Sequence, residues 1–167
     1  GTGTIDEQIA ITKKTMRTVA RLALPGVRVV ITHGNGPIVG NIVLRNAALS
    51  DRIPPMPLDV CGADSQGGLG YMIQQTLENE LFLAGRHRRV VTVITQVRVD
   101  SRDPAFQNPD KPIGPFYPTL EAAGPGAKNW EMREDAGRGF RRVVPSPKPI
   151  EIVEEPHEDE LEVDSAV

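Results

Sequence analysis

A chain of 167 residues with one cysteine, one tryptophan and 4% aromatic residues excludes several classes of protein at once. The lone thiol, Cys61, cannot close an intrachain disulfide, so a disulfide-stapled secreted scaffold is ruled out and a reducing, cytoplasmic setting is expected. No histidine stands near it in sequence to activate it, and its small and apolar neighbours give it a packing role rather than a nucleophilic one. Long apolar runs are also missing: none reaches 18 residues and no leader-like segment opens the chain, so neither a membrane span nor secretion is expected. An excess of either charge is lacking as well, with 19 basic against 22 acidic residues. That balance hides an asymmetry, because residues 151–167 carry eight acidic residues and no Lys or Arg. The remaining body is mildly positive, which suits a phosphate-bearing small molecule. No zinc-finger, basic-zipper or RNP-like pattern accompanies it, so nucleic acid is not an expected partner.

What is present is enough apolar residue, 39%, to build a core, and fifteen prolines with sixteen glycines that favour turns and extended connections over a helical bundle. The organising stretch is VRVVITHGNGPIVG, residues 27–40. Val27, Val29, Val30 and Ile31 predict a buried strand, since β-branched side chains favour a pleated, packed surface. Thr32, His33, Gly34, Asn35 and Gly36 then predict a tight turn, with Pro37 in the first turn of a helix. Backbone amides beside the two glycines, together with the open amides of that helix start, make a concave anion site. A small anionic or carbonyl-bearing ligand is the expectation. The Asn35 amide is suited to orienting a carbonyl or carboxylate. His33 remains open between a buried hydrogen-bonding group, a loop stabiliser and an acid–base group.

Elsewhere the spacing predicts a helix over 5–24, stopped by Pro25-Gly26, and a second over 37–50. A proline-rich connection follows, then a compact turn at 58–61 and a helix starting at Asp64 or Ser65. Gly67, Gly68 and Gly70 weaken that helix intrinsically but permit close packing, and Met72 is a packing residue. Residues 90–94 predict the clearest second strand, 95–100 continue with alternation, and 101–118 form a proline-rich excursion. Asp103 is expected to organise that excursion, because no compact carboxylate set accompanies it to hold a metal. Trp130 is a candidate anchor, 140–144 a returning strand, and 145–149 a stiff connection. Arg141, Arg142 and Lys148 stay open between anion contacts and surface charge.

Five stretches in order, THGNGPIVGN from Thr32, PLDVCGADSQGGLGYMIQQ from Pro57, TQVRVD from Thr95, DPAFQNPDKPIGPFY from Asp103 and RRVVPSPKP from Arg141, resemble the carbamate kinases of the amino acid kinase superfamily. The resemblance covers most of residues 5–153. It implies an α/β fold, a partial three-layer α/β/α amino-acid-kinase-like sandwich over 1–153. A protruding loop subdomain at about 100–145 belongs to it, and an acidic, disordered tail at 154–167 follows. It further implies the N-terminal, substrate-side part of that fold, without the family's first strand and glycine loop or its C-terminal nucleotide lobe. The implied reaction is reversible phosphoryl transfer between ATP and carbamate, giving carbamoyl phosphate and ADP with Mg²⁺. His33, Gly34, Asn35, Gly36 and Pro37 would hold the carbamate moiety, and Lys111 would supply positive charge to the transferring phosphoryl group after the protruding subdomain closes. No residues are assigned to ATP or to a metal. The implied partners are carbamate or carbamoyl phosphate and a second copy of the chain, partly through the segment after Pro57, or a complementary kinase lobe. Two readings stay open: a kinase-type phosphotransferase whose standalone turnover is uncertain, and a noncatalytic metabolite-binding or interaction fragment.

Overall fold

The computed structural model describes residues 4–124 and 127–154, so the expected acidic tail lies, from residue 155 onward, outside the described residues. The chain divides into two compact units, one built from the residues up to His33 with Gln66–Ile94 and Glu154, the other from Gly34–Ser65 and Thr95–Val153. The fold class is α/β, as expected.

In the first unit, helix α1 (Ile5–Leu22) starts at Thr4, whose hydroxyl accepts the Glu7 N–H at 3.4 Å. Asp6 and Glu7 at its start and Arg21 near its end complement the helix dipole. Met16 and Ala20, one turn apart, face inward and join Ala23, Leu77 and Leu81 in an apolar core flanked by Val19, Ile31, Ile73 and Val90. The helix ends where Pro25-Gly26 predicts, with Gly26 at φ +79°. Arg86 then donates to the exposed carbonyls of Ala20 at 2.6 Å and Ala23 at 3.0 Å, satisfying acceptors that the helix end leaves open.

Helix α3 (Leu58–Leu83) supplies Leu77 and Leu81 to that core. It starts about two turns earlier than expected: Leu58 to Cys61 are its first turn, not a separate compact turn, and the Pro57 carbonyl accepts the Cys61 N–H at 3.0 Å. Proline just ahead of a helix is compatible with its start, because the first-turn amides need no intrahelical partner. The glycines inside α3 do permit close packing at Gly70, where an added Cβ would overlap the side chain of Thr92.

Two expected strands require correction. Residues 27–31 and 90–94 form no regular element and join no ladder among the described residues. Val30 is 56% exposed and Val91 73%, while Ile31 and Val90 alone of the two runs lie against the core. β-Branched composition makes a segment ready for a sheet, but only hydrogen-bonded neighbours and a covering layer bury it.

The second unit places helix α2 (Gly36–Ala48) with Val39 and Val43 against Cys61, surrounded by Ile42, Leu58 and Trp130. Trp130 thus anchors the otherwise irregular region before it. Among the described residues five short strands follow: β1 (Val97–Val99), β2 (Lys111–Tyr117), β3 (Met132–Glu134), β4 (Phe140–Val144) and β5 (Pro149–Ile152). β1 and β5 form an antiparallel pair, and β2, β4 and β3 form a three-stranded antiparallel sheet with β4 central. The returning strand β4 has the expected bounds. Its register with β2 shifts between Ile113 and Tyr117, where Gly114 adopts φ +73°.

Asp103 organises its loop as expected. Its carboxylate accepts the Ala105 N–H at 2.8 Å, starting a short 3-10 turn at Pro104–Phe106, and the Lys148 N–H at 2.9 Å, tying the excursion to the segment between β4 and β5. These two donors, Ala105 first, hold the carboxyl below its ordinary range. A depressed folded-state pKa means the contribution is present above the unfolded pKa and disappears as pH falls through the folded one. Thermal melts from neutral pH down through the carboxylate range should therefore show a shallower acid-side loss of stability in Asp103→Asn than in the parent. Parallel curves would show that these bonds carry no pH-linked stability.

Candidate functional site

The loop before α2 is built by two local facts. Asn35 sits at φ −116° and ψ 2°, in the sparsely used bridge region, and its carbonyl accepts the first helical amides, Ile38 at 3.0 Å and Val39 at 3.2 Å. A proline in the first turn brings no N–H of its own and holds φ near the helical value.

Asn35 stands at the capping position, yet its side chain makes no capping hydrogen bond. Instead Nδ2 donates to the Ser65 hydroxyl oxygen at 2.9 Å, and that hydroxyl donates to the Gly62 carbonyl at 2.6 Å. Ser65 is wholly buried, at 0% exposure. The loop is thereby pinned to α3 from 30 residues away in sequence, while the positive end of α2 keeps no side-chain cap. Such an arrangement offers backbone donors and a fixed amide to a small polar ligand.

The expected site residues fall as follows. Gly34, Asn35, Gly36 and Pro37 are together at the start of the second unit. His33 closes the first unit and is exposed, which removes the buried-histidine reading. Lys111 opens β2 opposite Val144 and is exposed. Ser65 was not singled out from sequence as a site residue; a serine inside a glycine-rich helical segment carries no local signal of a contact 30 residues away.

Of the remaining candidate cations, Lys148 is exposed and engages Asp103 through its backbone N–H, while Arg141 and Arg142 are occupied structurally. Arg141 donates through Nε to the Gly114 carbonyl at 3.1 Å, pairs with Asp135 at 3.2 Å, and lies 4.9 Å over the Phe116 ring. Arg142 lies 4.7 Å over Trp130, and burial pushes its pKa down. It borders a cavity of about 10 Å³ beside Gly40, Ile113, Gly114 and Trp130, room for a single water and too small for a substrate. Cys61 is 1% exposed, with its pKa raised chiefly by burial, as befits a packing residue.

Among the described residues no three acidic, imidazole or thiol groups stand together to hold a metal, and no helix is long and apolar enough to cross a membrane. These residues do not by themselves fit ATP or Mg²⁺.

No family model matches the sequence. Individual relatives do. The carbamate kinase of Pyrococcus horikoshii is 54% identical over 150 residues, spanning 88% of this chain and 48% of that protein. That of Pyrococcus furiosus is 52% identical over 150 residues, with the same shares of 88% and 48%. Among solved structures, carbamate kinase from Giardia lamblia bound to citric acid superposes with a TM-score of 0.80 at 45% identity, covering 92% of this chain and 50% of that one. The mixed helices and small sheets, with a loop at the start of α2, define a partial amino-acid-kinase-like α/β fold. Within that class the chain is homologous to the carbamate kinase family, over most of its own length. It spans about half the length of the relatives it matches.

Proposed function

We propose that this chain carries the carbamate-side half of a carbamate kinase, an enzyme that moves a phosphoryl group reversibly between ATP and carbamate to give carbamoyl phosphate and ADP. The observation that carries the reading is the loop of Gly34, Asn35 and Gly36: it opens an uncapped helix and is pinned through Ser65, within the part of the chain homologous to carbamate kinases. In this reading the Gly34–Gly36 loop, with His33 and Pro37, holds the carbamate moiety by backbone donors and the Asn35 amide. Lys111 belongs to a protruding subdomain at about 100–145 and brings positive charge to the transferring phosphoryl group when that subdomain closes. Phosphoryl transfer needs positioning and charge stabilisation more than covalent help from the protein, which suits a loop of amides and a mobile lysine. ATP or ADP with Mg²⁺ are the cofactors that the homology implies. The nucleotide site belongs to a complementary lobe or a second copy of the chain, and the setting is the cytoplasm.

A second reading is a noncatalytic protein that binds the metabolite without turnover, for which the same pinned Gly34–Gly36 loop would serve without a nucleotide. Purified protein incubated with carbamoyl phosphate, ADP and Mg²⁺ separates the two. ATP formation proportional to protein supports the kinase, whereas carbamoyl-phosphate binding without ATP, beside an active full-length relative, supports the binding protein. Under either, Asn35→Ala should weaken carbamoyl-phosphate binding about tenfold by calorimetry, the scale of one hydrogen bond. No binding by the parent would sink the ligand assignment itself.

A further inference from the structure

We infer that Ser65 is a positioning residue that fixes the orientation of the Asn35 amide, so that its oxygen is offered to a ligand as an acceptor. This deepens the carbamate-side reading and rests on it.

The protons around the Ser65 hydroxyl fix the orientation of the amide. The Gly62 carbonyl can only accept, so the Ser65 hydroxyl must spend its single proton there, at 2.6 Å. The Ser65 oxygen then faces Asn35 with lone pairs only, and only the NH₂ of the Asn35 amide can satisfy it, at 2.9 Å. A flipped amide would set two acceptors against each other around a fully buried hydroxyl, which is costly. The orientation is therefore dictated by the network. Because Asn35 makes no capping bond, its Oδ1 keeps its acceptor capacity, with no partner among the described residues.

The consequence is chemical. An amide oxygen cannot accept a bond from a carboxylate, carbonyl or phosphate oxygen; it needs an N–H or O–H donor. The sequence-based expectation that Asn35 orients a carbonyl or carboxylate is thereby refined. Oxyanion groups fall to the backbone amides and to the Nδ2 proton that Ser65 does not take, and Oδ1 selects ligands bearing an amino group, as a carbamoyl compound does. The loop distinguishes an NH₂ from an isosteric CH₃ because a methyl group leaves the oxygen unpaired.

Carbamoyl phosphate and acetyl phosphate differ at that one group, so they form the test pair, with Ser65→Ala as the variant. Alanine is the better helix former, and the Gly62 carbonyl remains inside α3, so the variant is expected to fold. The parent should bind carbamoyl phosphate about tenfold more tightly than acetyl phosphate. Ser65→Ala should abolish most of that preference, weakening carbamoyl-phosphate binding several-fold more than acetyl-phosphate binding, because the freed amide no longer holds its oxygen toward the ligand. A purely structural role would weaken both ligands alike, and that result would overturn the inference.

Nitrogen–proton correlation spectra of the Asn35 side chain, assigned by its loss in Asn35→Ala, read the bond without any ligand. The Nδ2 protons should move to solvent-like shifts in Ser65→Ala, and unmoved resonances would refute the positioning role. A parent that binds neither phosphate, with the Nδ2 shift confirmed, would overturn the carbamate-side reading and the ligand selection with it, while the Ser65–Asn35 bond stood.

Discussion

Alanine at Gly40 should lower the stability of the protein by about 3 kcal/mol, the upper part of the range for overpacking a tight contact. An ideal Cβ at Gly40 would lie 2.7 Å from the Gly114 Cα and 2.9 Å from its nitrogen. Both atoms are backbone, so no rotamer change can relieve the overlap. Either α2 must lift from β2 or the irregular part of β2 must move, and Gly114 already uses a left-handed φ of +73° that other residues resist. Val39 and Val43, on the same face of α2, would lose contact with Cys61 if the helix lifted. Urea unfolding followed by circular dichroism would show the loss as a lower midpoint at unchanged slope. A useful contrast is Gly68→Ala on α3, where an added Cβ meets nothing within 4 Å. That substitution should stabilise by about 1 kcal/mol through helix propensity alone. If Gly40→Ala left the midpoint where it was, the close approach of α2 and β2 would not be a feature of the folded protein.

The helices of this chain were legible because their signals are local. Pro25-Gly26 and the Asn35-Gly36-Pro37 start act within a few residues of the element they delimit, whereas the Thr4 cap of α1 was not read from the sequence. The exception, the start of α3, was hidden by its neighbours. Prolines at 54, 55 and 57 made the following residues read as a continuation of the loop, yet proline just before a helix is as much a start signal as a break. Strands were less legible for a physical reason. Residues 27–31 and 90–94 have the strongest β-branched patterns, but strand formation depends on a partner, and partners are not written in the segment itself. The strand that does form nearby, β1, has only three residues and is made by its pairing with β5 some fifty residues later.

The candidate site divides in the same way. The loop over 34–37 was readable from its glycines, its asparagine and its proline. Ser65 was not, because its role comes from the contact of a buried hydroxyl with a side chain 30 positions away. Asp103 was readable in part: the sequence DPAF favours an acidic residue starting a turn, while its second bond, to the Lys148 amide, depends on where the chain returns. Arg141 and Arg142 were undecidable in sequence since their partners, Phe116, Asp135 and Trp130, are gathered by the sheet β2-β4-β3 and the residues beside it.

The purified chain should self-associate, with a mass that rises with protein concentration, and the double substitution Val30→Lys/Val91→Lys should return it to a monomer of 18.2 kDa. Six apolar residues in two runs without regular structure are exposed, Val27, Val29 and Val30 in one and Val91, Val93 and Ile94 in the other. Each run has backbone groups outside any ladder among the described residues. Exposed apolar, β-branched segments of this kind are templates for pairing with another chain, and a charged side chain at the centre of each is the device that natural edge strands use against it. The two valines are suited to the test because they are the most exposed of their runs, at 56% and 73%, so replacing them removes little from the core around Leu77 and Leu81. Light scattering after size exclusion over a range of concentrations reads the mass. Circular dichroism at the same concentrations should show unchanged helix in the variant, since α1, α2 and α3 bury other residues. A parent that stays monomeric at every concentration would mean these runs are protected in solution. A variant that associates as strongly as the parent would place the sticky surface elsewhere, the exposed Tyr71 and Phe82 on α3 being the next to test.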